Sequence, residues 1–202
     1  MVAKIFTNPV NYNLQIWYEK SEDEILIGVE DGAYYALQQG LNLDYAIGDF
    51  DSLEETKKNT VLNRVEKVIK YPSQKDYTDT YLAVKKALEY EAEEIIIYGG
   101  IGARFDHSYA NLLLLKLGPI SMLNDNHKIY LLDPGKYHIE ATFNNISFFA
   151  LEDIKDLNLD GFEYDLKGYD LKIDDPLCIS NHGSGEVTFQ KGLMLVIESK
   201  EE

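Results

Sequence analysis

The chain has 202 residues, 45% of them hydrophobic, enough for one large domain or two small ones with a real core. Its 19 Lys and Arg against 35 Asp and Glu leave a net charge of -16, which repels a phosphate backbone and excludes nucleic-acid binding driven by counterion release. The single cysteine, Cys178, excludes an internal disulfide framework; with no signal-peptide run and no apolar stretch of about 18 residues, the expected location is the cytoplasm, without a membrane partner.

Taken in chain order, Ile25 to Val29 reads as a strand, Ala33 to Gln39 as a short helix stopped at Gly40, and Tyr45 to Ile47 as a strand. Val65 to Ile69 is again strand-like, Thr78 to Tyr90 helical, Glu94 to Tyr98 a buried β-branched strand, and Asp106 to Leu117 a further helix. Strand alternating with helix predicts a mostly parallel sheet with flanking helices. Near residue 124 the texture changes. Short strands follow at Lys128 to Leu132, Tyr137 to Ala141, Ile146 to Ala150, Leu177 to Asn181, Glu186 to Phe189 and Leu193 to Glu198, with turn residues at Asp133-Pro-Gly135 and Gly183-Ser-Gly185. The expectation is an α/β chain in two domains, residues 1–124 and an antiparallel β-sandwich over residues 125–202.

In open parallel sheets ligands bind beyond the carboxyl ends of the strands, so the residues that follow each apolar run carry the chemical information. Those residues are Glu30-Asp31-Gly-Ala33, Gly48-Asp49-Phe-Asp51-Ser52, Lys75-Asp76-Tyr-Thr-Asp79 and Gly99-Gly100-Ile-Gly102-Ala-Arg104-Phe-Asp106-His107. Asp49 and Asp51 stand two apart and Asp76 and Asp79 three apart, spacings that let each pair share a side and offer hard oxygen ligands to Mg²⁺ bridging to phosphates. Taken singly, such aspartates are ordinary helix caps or solvated loop residues; gathered at successive strand ends beside glycine turns, they read as a site. The glycine turn brings backbone N–H groups close to a phosphate and matches neither the G-x-G-x-x-G fingerprint nor the P-loop. Arg104 offers a planar fork, Asp106 a partner for a ribose, an arginine or a metal-bound water, and His107 either a structural hydrogen bond or an acid–base group.

In order and spacing these four segments, together with Asn111, resemble the thiamin pyrophosphokinase family over nearly the whole chain. The resemblance implies an enzyme that moves the pyrophosphate of ATP onto the hydroxyl of thiamin and releases AMP. It implies Mg²⁺ held by Asp49, Asp51 and Asp79, with Asp76 as a further ligand or proton acceptor. Asp31, Lys75, the Gly99 to Gly102 turn, Arg104, Asp106 and His107 would lie on the nucleotide side, and Tyr164, Ser180 and Asn181 on thiamin. The family is a homodimer with thiamin bound near the subunit interface. Glu30 departs from the alanine common at its position, and His182-Gly-Ser-Gly185 departs from the usual apolar residue after Ser-Asn.

Two other classes compete. Asp49-Phe-Asp51 also fits the D-x-D of an aspartyl-phosphate phosphatase, which leaves the glycine turn and Arg104 unexplained. A nucleotide- or thiamin-binding sensor without turnover is the non-enzymatic alternative, and the complete set of aspartates argues against it.

Overall fold

The structure, a computed structural model, describes residues 1–8, 10–71 and 76–200. Its residues cluster into two units, Met1–Asp125 and a second beginning at Asn126. In the first unit β1 (Val2–Phe6), α1 (Leu14–Trp17), β2 (Glu24–Val29), α2 (Asp31–Gln38), β3 (Tyr45–Gly48), α3 (Glu55–Arg64), β4 (Lys67–Lys70), α4 (Asp79–Leu88), β5 (Glu94–Tyr98), α5 (Phe105–Leu114) and β6 (Ile120–Leu123) follow one another. The strands lie in the order β6-β5-β1-β2-β3-β4, and every neighbouring pair is parallel. Parallel pairing needs crossovers, and the helices supply them. β2 and β3 are buried along nearly every residue, as befits strands covered on both faces.

The expected alternation is present, but the central strand was not foreseen. β1 lies between β2 and β5, yet Lys4 interrupts its apolar run. Lys4 is 2% exposed and its ammonium is fully occupied: by Glu24 Oε2 at 2.7 Å, Ser21 Oγ at 3.1 Å, the Glu19 carbonyl and the face of Tyr18. A buried charge so paired disguises a strand as a polar segment. Helix α3 also went unread, because Val61 is its only buried residue and no 3.6-residue apolar period exists. The helix expected from Thr78 begins at Asp79, with the Thr78 hydroxyl capping the Tyr81 N–H. The helix expected over Asp106 to Leu117 ends at Leu114 and closes in a 3₁₀ turn, Leu115–Leu117.

The second unit contains β7 (His127–Leu132), β8 (Gly135–Ile139), β9 (Asn145–Lys155), β10 (Leu157–Asp160), β11 (Leu166–Tyr169), β12 (Asn181–His182), β13 (Gly185–Phe189) and β14 (Lys191–Ser199). All its pairs are antiparallel: β9 joins β12 and β14, β14 joins β7, β10 joins β11 and β13, and β13 joins β8. Phe148, Met194 and Val196 from one sheet and Leu157, Val187 and Phe189 from the other share one buried cluster, the core of a sandwich. The strand expected over Leu177 to Asn181 is corrected: only Asn181 and His182 pair, because Ser180 takes a left-handed φ of 56° and breaks the extended run.

Candidate active site

Because β1 to β5 are mutually parallel, the segments that leave their carboxyl ends emerge at one edge: Thr7-Asn8, Glu30-Asp31, Asp49-Phe50-Asp51, Tyr71 and the Gly99 to Gly102 turn. A cavity of about 600 Å³ opens there. Of the residues singled out from the sequence, Asp31, Asp79, Gly100, Gly102, Arg104, His107 and Asn111 line it, and Asp49, Asp51, Asp76, Gly99 and Asp106 do not. Lys75 lies outside the described residues.

The Asp49-Phe50-Asp51 turn is built around its apolar residue. Phe50 is fully buried among Leu53, Val61 and Ala46 and takes a left-handed φ of 57°, which turns the flanking aspartates outward. Asp49 is half-buried and its Oδ1 accepts the Asp51 N–H at 3.0 Å; Asp51 is exposed and meets the Lys58 ammonium at 3.5 Å. Glu30 holds the turn from beneath: its Oε1 accepts the N–H groups of Asp49 at 2.7 Å and of Phe50 at 3.1 Å.

Gly99 and Gly100 adopt successive φ values of +89° and +79°, open to glycine at little cost. Four polar side chains fix their turn. The Thr7 hydroxyl donates to the Tyr98 carbonyl at 2.8 Å and accepts the Gly100 N–H at 3.0 Å. Asn111 donates to the Gly100 carbonyl at 2.7 Å, Asn11 donates to the Ile101 carbonyl, and Ser108 Oγ accepts the Gly102 N–H at 3.0 Å. Arg104 and Asp106 face solvent and bind each other in a two-pronged pair at 2.7 and 3.3 Å. That hydrogen-bonded guanidinium holds the Asp106 carboxyl below its usual range.

Among the described residues no three acidic, histidine or cysteine side chains converge as a cation cage. The donor chemistry nonetheless fits a hard divalent cation. Among the described residues the buried Glu30 Oε2 has no hydrogen-bond partner, and burial raises its carboxyl's pKa, with the charges of Asp79 and Asp49 adding to that and the Phe50 and Asp49 amides opposing it.

In the second unit the three expected residues sit together. Asn181 is buried, and its amide brackets the backbone of Tyr164: Oδ1 accepts the Tyr164 N–H at 2.9 Å and Nδ2 donates to the Tyr164 carbonyl at 2.8 Å. Oδ1 also accepts the His182 N–H at 2.9 Å. Tyr164 is 59% exposed with His182 beside its ring, and Ser180 is exposed, its N–H given to Ser147.

Sequence reasoning gave Glu30 no role of its own and passed over Thr7 and Asn11. Glu30 drew notice only as a departure from alanine; its signal was a long carboxylate at a strand end. Thr7 and Asn11 went unread because β1 did.

The match to the family model described as "Thiamin pyrophosphokinase, catalytic domain" spans residues 16–131, and that to "Thiamin pyrophosphokinase, vitamin B1 binding domain" spans residues 134–194. The chain is 35% identical over 189 residues to the Bacillus subtilis protein named thiamine pyrophosphokinase, covering 88% of each. The crystal structure of thiamine pyrophosphokinase from Bacillus subtilis superposes with a TM-score of 0.91 at 29% identity, over 100% of both chains. The thiamin pyrophosphokinase structure from Geobacillus thermodenitrificans superposes at 0.88 and 27% identity, over 100% of this chain and 99% of that one.

Proposed function

Since the chain belongs to the thiamin pyrophosphokinase family, carrying the pyrophosphate of ATP to the hydroxyl of thiamin with release of AMP, we propose a division of labour between its two units. Residues 1–124 bind the nucleotide and residues 125–202 bind thiamin. The observation that carries this reading is the 600 Å³ cavity at the carboxyl edge of the parallel sheet, lined by a glycine turn, Arg104 and acidic side chains together.

The Gly99 to Gly102 turn, whose glycines let a phosphate come close to the backbone, lies against the phosphates, with Lys75 and Arg104 as cationic contacts. Arg104 is free to turn to a phosphate, because an exposed pair such as the one with Asp106 holds weakly. Asp31, Asp106 and His107 contact the rest of the nucleotide. Asp49, Asp51 and Asp79 would hold Mg²⁺, and Asp76 serves as a further ligand or as acceptor of the thiamin hydroxyl proton. When bound, Mg²⁺ neutralises triphosphate charge and lowers the barrier to in-line attack at the β-phosphorus. Tyr164 offers its exposed ring to the cationic thiazolium, with Ser180 and Asn181 flanking it.

Homodimerisation with thiamin near the subunit interface agrees with an exposed apolar stripe along one side of α5 and its 3₁₀ extension, Phe105, Tyr109, Leu113 and Leu117. A cytoplasmic location agrees with the one free, buried cysteine. Among the described residues no helix is long and apolar enough to cross a membrane.

The test follows AMP formation from ATP with and without thiamin, with Mg²⁺ or a chelator, in the wild type and in Asp49→Asn. AMP should appear only with thiamin and the metal, and the variant should lose on the order of 10²-fold or more in kcat. Inorganic phosphate as the product, AMP formed without thiamin, or near-normal turnover of the variant would each count against the reading.

A further inference from the structure

Glu30 holds an improbable position. It is a non-glycine residue with φ 49° and ψ -125°, at the junction of β2 and α2, and such backbone strain persists only where the surroundings impose it. Its carboxylate does not cap its own helix; it reaches across to the neighbouring strand end. There Oε1 takes both the Asp49 and the Phe50 N–H, while the Glu30 N–H donates to the Ile47 carbonyl at 3.2 Å. The space it occupies belongs to a glycine. A Cβ placed on Gly48 would stand 1.9 Å from Glu30 Oε1 and 2.6 Å from its carboxyl carbon. Glu30 and Gly48 thus form one lock, and the part they lock is the left-handed Phe50 turn that splays Asp49 and Asp51.

We propose that Glu30 is a positioning residue for pyrophosphate transfer: through its Oε1 acceptor and the absence of a side chain at Gly48, it sets the direction of the Asp49 and Asp51 carboxylates. It acts by acceptor geometry rather than by charge. Without it two backbone donors in a left-handed turn lose their partner, and the turn relaxes. The activity readout rests on the function proposed above; the structural readout does not.

The experiment measures amide hydrogen exchange of Asp49 and Phe50 in the free protein, together with kcat and the thiamin KM, in Glu30→Ala, Glu30→Gln and Gly48→Ala. In Glu30→Ala both amides should exchange at least about tenfold faster, the equivalent of one lost hydrogen bond. Misdirected carboxylates should lower kcat by about 10²-fold with the thiamin KM within about threefold. Glu30→Gln keeps the carbonyl acceptor and should restore protection, with kcat within about fivefold of wild type, since a neutral acceptor bonds about half as strongly as a charged one. Gly48→Ala should expose the same two amides in a chain that retains Glu30, and combining it with Glu30→Ala should add little. This variant also serves if Glu30→Ala does not fold. Protected amides in Glu30→Ala or Gly48→Ala, or a Glu30→Gln variant as impaired as Glu30→Ala, would overturn the proposal. A wild type that forms no AMP would refute the proposed function and leave the exchange result standing.

Discussion

Replacing Thr7 by Val removes one hydroxyl and almost no volume, so its cost isolates a hydrogen bond. In the wild type that hydroxyl bridges β1 to the turn after β5, accepting from Gly100 and donating to Tyr98. The Tyr98 carbonyl keeps a second donor, the Thr7 N–H at 3.1 Å, so its loss is partial. Among the described residues the half-buried Gly100 N–H has no such reserve, and a donor left unpaired away from water costs about 1–3 kcal/mol. Taking about 2 kcal/mol and a urea slope of about 2 kcal/mol/M, the unfolding midpoint should fall by about 1 M. Trp17, the one tryptophan of the chain, reports on the first unit, its indole N–H bonded to Asp125 at 2.7 Å. Thr7→Ser is the control: it keeps the hydroxyl and should lose only about 1 kcal/mol for the missing methyl. The ATP KM should rise in Thr7→Val and stay near wild type in Thr7→Ser. A Thr7→Val midpoint equal to or above that of Thr7→Ser would refute the account of the turn.

Two further outcomes are expected. Tyr164→Ala should raise the thiamin KM more than it lowers kcat, as loss of uniform binding does; an unchanged KM in steady-state assays would mean that the exposed ring does not meet substrate. Glu24→Gln leaves the buried Lys4 ammonium without its counter-charge and should destabilise the first unit by about 3 kcal/mol at neutral pH. Burial acts to raise the Glu24 pKa, but bonds from Lys4, Tyr18 and the Ser21 N–H outweigh it and the net shift is downward. The ion pair's stabilisation is therefore full above the ordinary glutamate value of about 4.3 and lost as pH falls through the lowered folded value. Denaturation curves at descending pH should show wild type and variant converging in that acid window; a constant gap would contradict the assignment.

How much could be read in advance depended on how local the cause was. β5 was legible to the residue because Ile95, Ile96 and Ile97 state their preference within one segment. The N-cap of α4 was legible within two residues for the same reason. β1 was not, since the partners that make Lys4 acceptable in a core, Glu24, Ser21 and Tyr18, lie 14 to 20 positions away. The run Leu177 to Asn181 looked like a strand by composition, yet Leu177 and Ile179 are exposed and Ser180 is left-handed, choices made by the Ser147 and Tyr164 contacts. That the Asn181 amide brackets the Tyr164 backbone, 17 positions away, was likewise not legible in the sequence.

By itself the sequence determined which chemical groups stand at the strand ends and in what order, because apolar period, glycine turns and helix starts are properties of neighbouring residues. Only the tertiary structure decided how those groups are aimed. The turn bearing Asp49 is held by Glu30, 19 positions earlier, and the glycine turn by Thr7, 93 positions before Gly100. Such bonds form only once parallel strands bring distant backbone donors beside a side chain with nowhere else to go, and no local pattern records them.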